Sequence, residues 1–499
     1  MQNKAENKSI NSHKTEMAEI AYFLYFTVMF GARAIGLFEG MLVYNISLVI
    51  GMLLFAVKIA MTKHTVLECC FMGTLLLISL LVYYNTGEKG LLLYFTMMLG
   101  MKGVSVKKVF KLGTVILGIA FPVLTLLSIT GFLEEITYIH DRAGFGHVIR
   151  HSLGYPYPNT LFTTYIVLMV LIMYVMGKQN KKNLLLTTLF MLVGTIYIYL
   201  YSCSNTGLIV GVFYLAANLY LQLRKDMTKL EQAAAWLVYP LCLLVSIVGP
   251  LVTTGRLFEL FDKVLHNRWA YSLYYLTNEP VTLFGVRFKE APNTNYMIDS
   301  SFLYSFLQIG IIPFLILTVL YLAMIYDYVK NKKQIELAII ISFCVLGLSD
   351  PFFFNLSYKN LMFLFVGEFI YRKLKVLETK NLGFFSRNIQ LLPVGSREVK
   401  FGATWTEKCC ITGTEIVKTI GQNNVMLTFI YFVSAVLLTG SLYLAMHGTY
   451  LTGKADEIPE WEFLRNIMSV GVFGGAAIVL TVVWIKMKQE KKKAVYEKR

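Results

Sequence analysis

The chain has 499 residues, of which 56% are apolar and 15% charged, and its mean hydropathy is +0.59. Soluble domains carry about 25% charged residues, so the composition excludes a soluble globular protein and indicates an all-α polytopic membrane protein. The net charge of +16 would suit a nucleic-acid partner only if it formed a patch on a folded polar domain. Instead, most Lys and Arg fall on every second connecting segment, as in the positive-inside asymmetry of membrane proteins.

Residues 1–19 are polar and mixed in charge and the first apolar run follows directly, so the expectation is that no cleavable leader is present. Apolar runs occur at about 20–38, 41–61, 66–84, 90–101, 109–131, 159–177, 183–201, 206–222, 233–251, 301–325, 335–354, 358–371, 425–447 and 466–486. A spanning helix needs roughly 20 residues, so the expectation is about 14 spans, with 12 as the lower bound. The runs at 90–101 and 358–371 are short and read as tilted, re-entrant or extended by polar ends. Lys58/Lys63, Lys102/Lys107/Lys108/Lys111, Lys178/Lys181/Lys182, Arg224/Lys225/Lys229 and Lys330/Lys332/Lys333 alternate with loops poor in base. Both termini join the basic side, which puts them in the cytoplasm and the large loops 132–158 and 252–300 outside.

Pro122, Pro240 and Pro313 lie within runs and read as kinks. Glu68 and Glu368 lie near cytoplasmic ends, and snorkelling to the interface competes with a proton relay. The seven cysteines contain no CxxC and no Cys/His metal spacing, so they read as packing residues. The expected division is a core over 1–372, a cytoplasmic linker over 373–424 and a two-helix hairpin over 425–499.

Two outer loops concentrate chemistry. In RLFELFDKVLHNRW, read as a helix, Leu257, Leu260, Phe261, Val264 and Leu265 share one face while Glu259, Asp262, Lys263 and His266 oppose them. Such a helix lies on the membrane surface or against the bundle. If it continues, Arg268 enters the apolar face and calls for an anion. If it stops at His266–Asn267, Arg268 faces water. The loop from Glu134 to Asn159 gathers His140, Arg142, His147, Arg150 and His151 among glycines and prolines that rule out a regular helix. An arginine fork there matches phosphate oxygens, and solvated charge or lipid contact is the plainer alternative. Asp299 is equally a helix N-cap and a general base. Asp350 ends an apolar run beside Pro351, with Asn355 and Asn360 following. There is no DxD, no GxxxxGK[ST] and no HExxH, which argues against a nucleotide-sugar donor, ATP drive and a metalloprotease-type zinc site.

The blocks RHSLGYPYPNTLF, YIYLYSCSNTGLI, NRWAYSLYYLTNEPVTLFG, IDSSFLYSFLQIGIIP and LSDPFFFNLSYKN, in that order, resemble Wzy-type polysaccharide polymerases of the O-antigen polymerase/ligase superfamily, in their Gram-positive capsule and exopolysaccharide form. The resemblance implies a GT-C-like bundle in the bacterial cytoplasmic membrane. It implies a metal-independent glycosyltransferase without cofactor, joining polyprenyl-diphosphate-linked oligosaccharides at the outer face. Membrane lipids, a flippase and chain-length regulators are the implied partners. By matching position, Arg150, Arg268 and Asp299 are the implied catalytic groups, with His147 or His151 as substitute base. Arg142, Tyr157, Asn159, Arg287 and Asp350 would contact substrate. Tyr157 stands where the family carries His, Arg268 follows His266–Asn267 where Ser-Gly is usual, and Asp350 stands where Glu is common. The segment 381–499 matches no family block. The rivals are a lipid-linked oligosaccharide flippase and an O-antigen-ligase-like transferase.

Overall fold

The computed structural model describes residues 15–142, 146–265, 267–289, 291–292, 296–353, 358–378, 383–392, 398–399, 424–453 and 460–496. Every apolar run except that at 301–325 becomes one helix, and ten helices among the described residues are long and apolar enough to cross a membrane. The protein is an all-α polytopic membrane protein. It has two compact units, Met1–Ile116 with Ser204–Thr404, and Leu117–Cys203 with Trp405–Arg499. The C-terminal hairpin shares a unit with the loop 132–158.

In the first unit, α1 (Met17–Ala34), α2 (Leu42–Met61), α3 (Val66–Thr86) and α4 (Gly90–Leu99) open the chain. All ten residues of α4 except Leu92 are buried. The short run is therefore an interior helix, relieved of the length that a lipid-facing span requires. Tyrosines supply its surroundings with satisfied hydroxyls. Tyr22 donates to Met97 O at 2.8 Å, Tyr25 Oη lies 2.8 Å from Thr96 Oγ1, and Tyr358 donates to Tyr25 Oη at 2.5 Å. Buried aromatic bodies with paired polar tips hold position without an unsatisfied group. Glu68 does not snorkel: it is buried, closes a capping box with Thr65, and pairs with Lys102 and with His64 at 3.2 Å. Glu368 accepts from Lys333 at 3.0 Å and Tyr328 Oη at 3.2 Å.

After α5 (Val106–Ile129), whose last part belongs to the second unit, the first unit resumes at α8 (Asn205–Leu223). α9 (Lys229–Val252) carries Pro240 and, one turn later, a π-helical turn at Leu244–Val248. Next come the two short helices α10 (Gly255–Val264) and α11 (Arg268–Asn278), treated below. The run at 301–325 is not one helix. It breaks into α12 (Ser301–Leu307) and α13 (Ile311–Lys330), so Pro313 lies in a first turn and kinks nothing. The break has a packing cause. Gly285 (φ 83°) and Gly310 (φ 94°) meet so closely that a Cβ on Gly310 would lie 2.2 Å from Gly285 N, and Ile311 N and Ile312 N donate to Thr282 O and Leu283 O. Only glycine suits those angles and that approach. α14 (Gln334–Leu346) and α15 (Met362–Glu378) complete the bundle. Of the linker, 383–392 lies along the α2–α3 turn: β2 (His64–Thr65) pairs antiparallel with β5 (Asn388–Ile389), and Leu392 N donates to Ala60 O. β1 (Thr15–Glu16) pairs with β6 (Glu398–Val399), while 400–423 lies outside the described residues.

The second unit holds the rest of α5, a hairpin of β3 (Thr137–Arg142) and β4 (Gly146–His151), α6 (Pro158–Met176), α7 (Lys181–Ser202), α16 (Asn424–Gly453) and α17 (Glu460–Tyr496). α16 and α17 touch through small residues: a Cβ on Gly471 would lie 2.0 Å from Thr439 Oγ1, and one on Gly475 3.1 Å from Ala435 N. Close backbone approach of this kind drives helix pairing in lipid. α17 is tied to α7, where Tyr201 Oη donates to Arg465 O at 2.8 Å and Tyr197 meets Phe473 edge-on.

Candidate active site

In the first unit the amphipathic stretch is bent. α10 stops at Val264 and α11 starts at Arg268, with Asn267 between them at φ 64°. Asparagine tolerates this left-handed conformation. Asp262 secures the bend by accepting from Ala270 N at 2.9 Å through Oδ1, while its carbonyl accepts from Asn267 N at 2.8 Å. It thereby caps the new helix from the old one. The helix does end where one sequence reading placed its end, yet Arg268 does not face water. Its side chain is 14% exposed, Nη1 donates to Leu265 O at 3.0 Å, and Nη2 lies 2.9 Å from Asp299 Oδ2. Its buried Nε finds no hydrogen-bond partner among the described residues.

Asp299 is free for this pairing because the cap role went to its neighbour. Ser300 is the N-cap of α12, accepting from Leu303 N at 3.5 Å. Burial pushes the Asp299 carboxyl up, and Arg268 recovers only part of that shift, leaving it above its ordinary value. Ser301 then fixes the loop: its N donates to Gly347 O at 2.7 Å, its Oγ donates to Asp350 O at 2.7 Å, and Phe353 N donates to that Oγ at 3.0 Å. The IDSS and LSDPFF blocks, half a hundred residues apart, are thereby brought together. Asp350 enters through its carbonyl. Asn360 is buried, caps α15 by accepting from Met362 N at 3.2 Å and donates to Phe353 O at 3.3 Å. Asn355 lies outside the described residues.

Aromatic rings line the same stretch. Tyr296 lies 5.0 Å from Tyr271 and 4.8 Å from Tyr274, centroid to centroid, and Tyr275 Oη donates to Tyr296 O at 2.7 Å. Tyr271 follows Arg268 by three residues on α11, so it shares that face of the helix. Arg287 is exposed, with its Nη2 3.0 Å from where a Cβ on Gly87 would stand.

In the second unit, alternation along β4 sends Arg150 and His151 to opposite faces. Arg150 Nε donates to Ser202 O at 2.8 Å and Nη2 to Asn159 Oδ1 at 2.7 Å. It joins the C-terminal carbonyls of α7 to the first turn of α6, a favourable place for a cation at a helix C-terminus. Tyr157 is the N-cap residue of α6 and 57% exposed, and its ring stacks on Tyr138 at 5.6 Å. His151 is buried between two carboxylates, with Nδ1 2.9 Å from Glu135 Oε2 and Nε2 2.9 Å from Glu462 Oε1. Burial alone would lower its pKa, but the two acids outweigh it and hold the imidazole above its ordinary value. Arg465 lies 3.3 Å from Glu462 and its guanidinium stands 4.3 Å above the Tyr201 ring. Arg142 and His147 are placed on the hairpin backbone, opposite Gly146 and Asp141; their side chains and that of His140 lie outside the described residues.

Sequence reasoning missed Glu135, Glu462 and Arg465 around His151, and Tyr271 and Tyr296 beside Arg268. The alternation TYIHDR and GHVIRH around a glycine was a hairpin signal, while nothing local could pair His151 with Glu462. Among the described residues no group of three or more His, Cys, Asp or Glu is arranged to hold a metal ion. No family model, curated protein or solved structure matches the chain.

Proposed function

We propose that the protein is a membrane glycosyltransferase that polymerises polyprenyl-diphosphate-linked oligosaccharide units at the outer face of the bacterial cytoplasmic membrane. The observation that carries the reading is the Arg268–Asp299 pair: a largely buried guanidinium whose Nε is unmet among the described residues and a carboxyl of raised pKa, in a stretch that also holds the packed rings of Tyr271 and Tyr296. In the reaction an acceptor sugar hydroxyl attacks the anomeric carbon of the donor. The bond from that carbon to the diphosphate oxygen breaks, and the lipid diphosphate leaves with the bonding pair. Arg268 meets the charge that grows on the leaving oxygen, where preorganised donors are worth about 3–4 kcal/mol. Asp299 takes the hydroxyl proton, and its raised pKa brings it nearer the operating range of a base. The tyrosines offer flat apolar faces to sugar rings. The order of the five sequence blocks supports the same class.

The experiment is the lipid-linked glycan profile of a deletion strain. Loss of polymer with accumulation of single repeat units, on the outer face, fits a polymerase. Accumulation on the inner face would make the protein a flippase, and normal polymer that is not transferred to its final acceptor would make it a ligase.

A further inference from the structure

None of the ten residues of α10 is buried. Leu257, Leu260, Phe261 and Val264 share one face and are 52%, 58%, 37% and 63% exposed, while Glu259, Asp262 and Lys263 lie opposite. Apart from Phe261, which stacks on Trp269, the apolar face is not taken up by packing against the bundle. A contiguous exposed patch of this kind needs an apolar partner, and continuity says which. α9 ends only a few residues earlier, and its last residues, Leu251 and Val252, are 51% and 69% exposed on a helix that the membrane covers. At 1.5 Å per residue the 24 residues of α9 rise about 36 Å, against about 30 Å of hydrocarbon, so its ends reach the headgroup layer. The bend then keeps α11 at that level. Trp269 is buried against Gly249, one turn before the end of α9, where a Cβ would lie 2.6 Å from Cζ2. Phe258 and Phe261 of α10 close on the same indole, at 5.8 and 4.7 Å. Tryptophan at an interface between lipid and water is itself the common arrangement.

We propose that α10 lies in the interfacial layer of the bilayer with its apolar face in the acyl region, and so holds the Arg268–Asp299 pair at the depth of the lipid phosphates. A lipid-borne anion reaches Arg268 from the side, without leaving the leaflet. This placement concerns the resting protein and stands or falls without any turnover.

The test uses the full chain with its native cysteines replaced, reconstituted in phosphatidylcholine vesicles. An environment-sensitive fluorophore is attached in turn to Leu257→Cys, Leu260→Cys, Val264→Cys, Glu259→Cys, Lys263→Cys and Tyr271→Cys. Probes at 257, 260 and 264 are expected to be quenched several-fold more by brominated acyl chains than those at 259 and 263, with aqueous iodide giving the reverse order. The probe at 271 should respond most to lipids bearing a nitroxide on the headgroup. Equal quenching of both α10 faces would overturn the proposal. So would apolar-face probes shielded from bromine and iodide alike, the sign of a protein partner. A 271 probe open to iodide and blind to headgroup nitroxide would refute the depth.

Discussion

Two charged arrangements, one in each unit, look alike in sequence and differ in build. Arg268 and Asp299 come from a single polar stretch, meet through one contact at 2.9 Å, and leave Asp299 about one-third exposed and Arg268 Nε unmet among the described residues. His151 sits between Glu135 of its own loop and Glu462 of the C-terminal hairpin, with Nδ1 hydrogen-bonded to Glu135, Nε2 at ion-pair distance from Glu462 (2.9 Å), and side-chain exposures of 7%, 19% and 12%. The first arrangement has capacity left for a ligand. The second has its charges spent on each other, and it ties β4 to α17. A cation in a polar loop is therefore a poor guide to chemistry until its partners are known.

Breaking the His151 clamp should have the largest effect on the fold. His151→Ala leaves two carboxylates facing each other with Arg465 on one side only, and removing one partner of a buried pair costs about 3–5 kcal/mol. Thermal unfolding in nanodiscs should show a clear fall, and Glu462→Gln a smaller one in the same direction. An unchanged midpoint in both would mean the clamp holds nothing. The sign of its pH dependence is set. The folded pKa of His151 is raised, so the stabilisation is complete below the unfolded value, about 6.5, and is lost as pH rises through the folded one. The difference in unfolding midpoint between wild type and His151→Ala should shrink on the alkaline side; a difference that grew there would contradict the charged clamp.

Asp299→Asn sharpens the other side of the comparison. With a carboxyl raised above its ordinary value, the acid limb of the rate profile should lie above the ordinary carboxylate pKa of about 4. The Asn variant should lose most of the rate and that limb together. A limb that survives the substitution would assign the proton to another group. Smallest of all, Arg256→Lys, at an exposed position of α10, should change turnover and stability by no more than about 0.5 kcal/mol. A large loss there would remove the distinction between the two arginines.

The helices were legible because lipid imposes a length and a composition on each one. What the run at 301–325 concealed was a meeting of Gly285 with Gly310, a contact between segments that no window along the chain contains. The same holds for the site. Arg268 and Asp299 stood out as chemistry-bearing residues, but their pairing depended on the bend at Asn267 and on Ser300 taking the cap. His151 was singled out as a candidate base, and its carboxylates lay beyond local reading, one of them in the C-terminal hairpin, which matches no family block.

The central claim is that Arg268 serves chemistry and His151 serves the fold. Arg268→Lys keeps the charge and loses the planar fork. The direct measurement is turnover of lipid-linked repeat units by this variant in proteoliposomes, with its unfolding midpoint taken on the same preparation. The account predicts a loss of about 10²–10³ in turnover with the midpoint within about 2 °C of wild type. Wild-type turnover, or a loss that follows unfolding step for step, would contradict it.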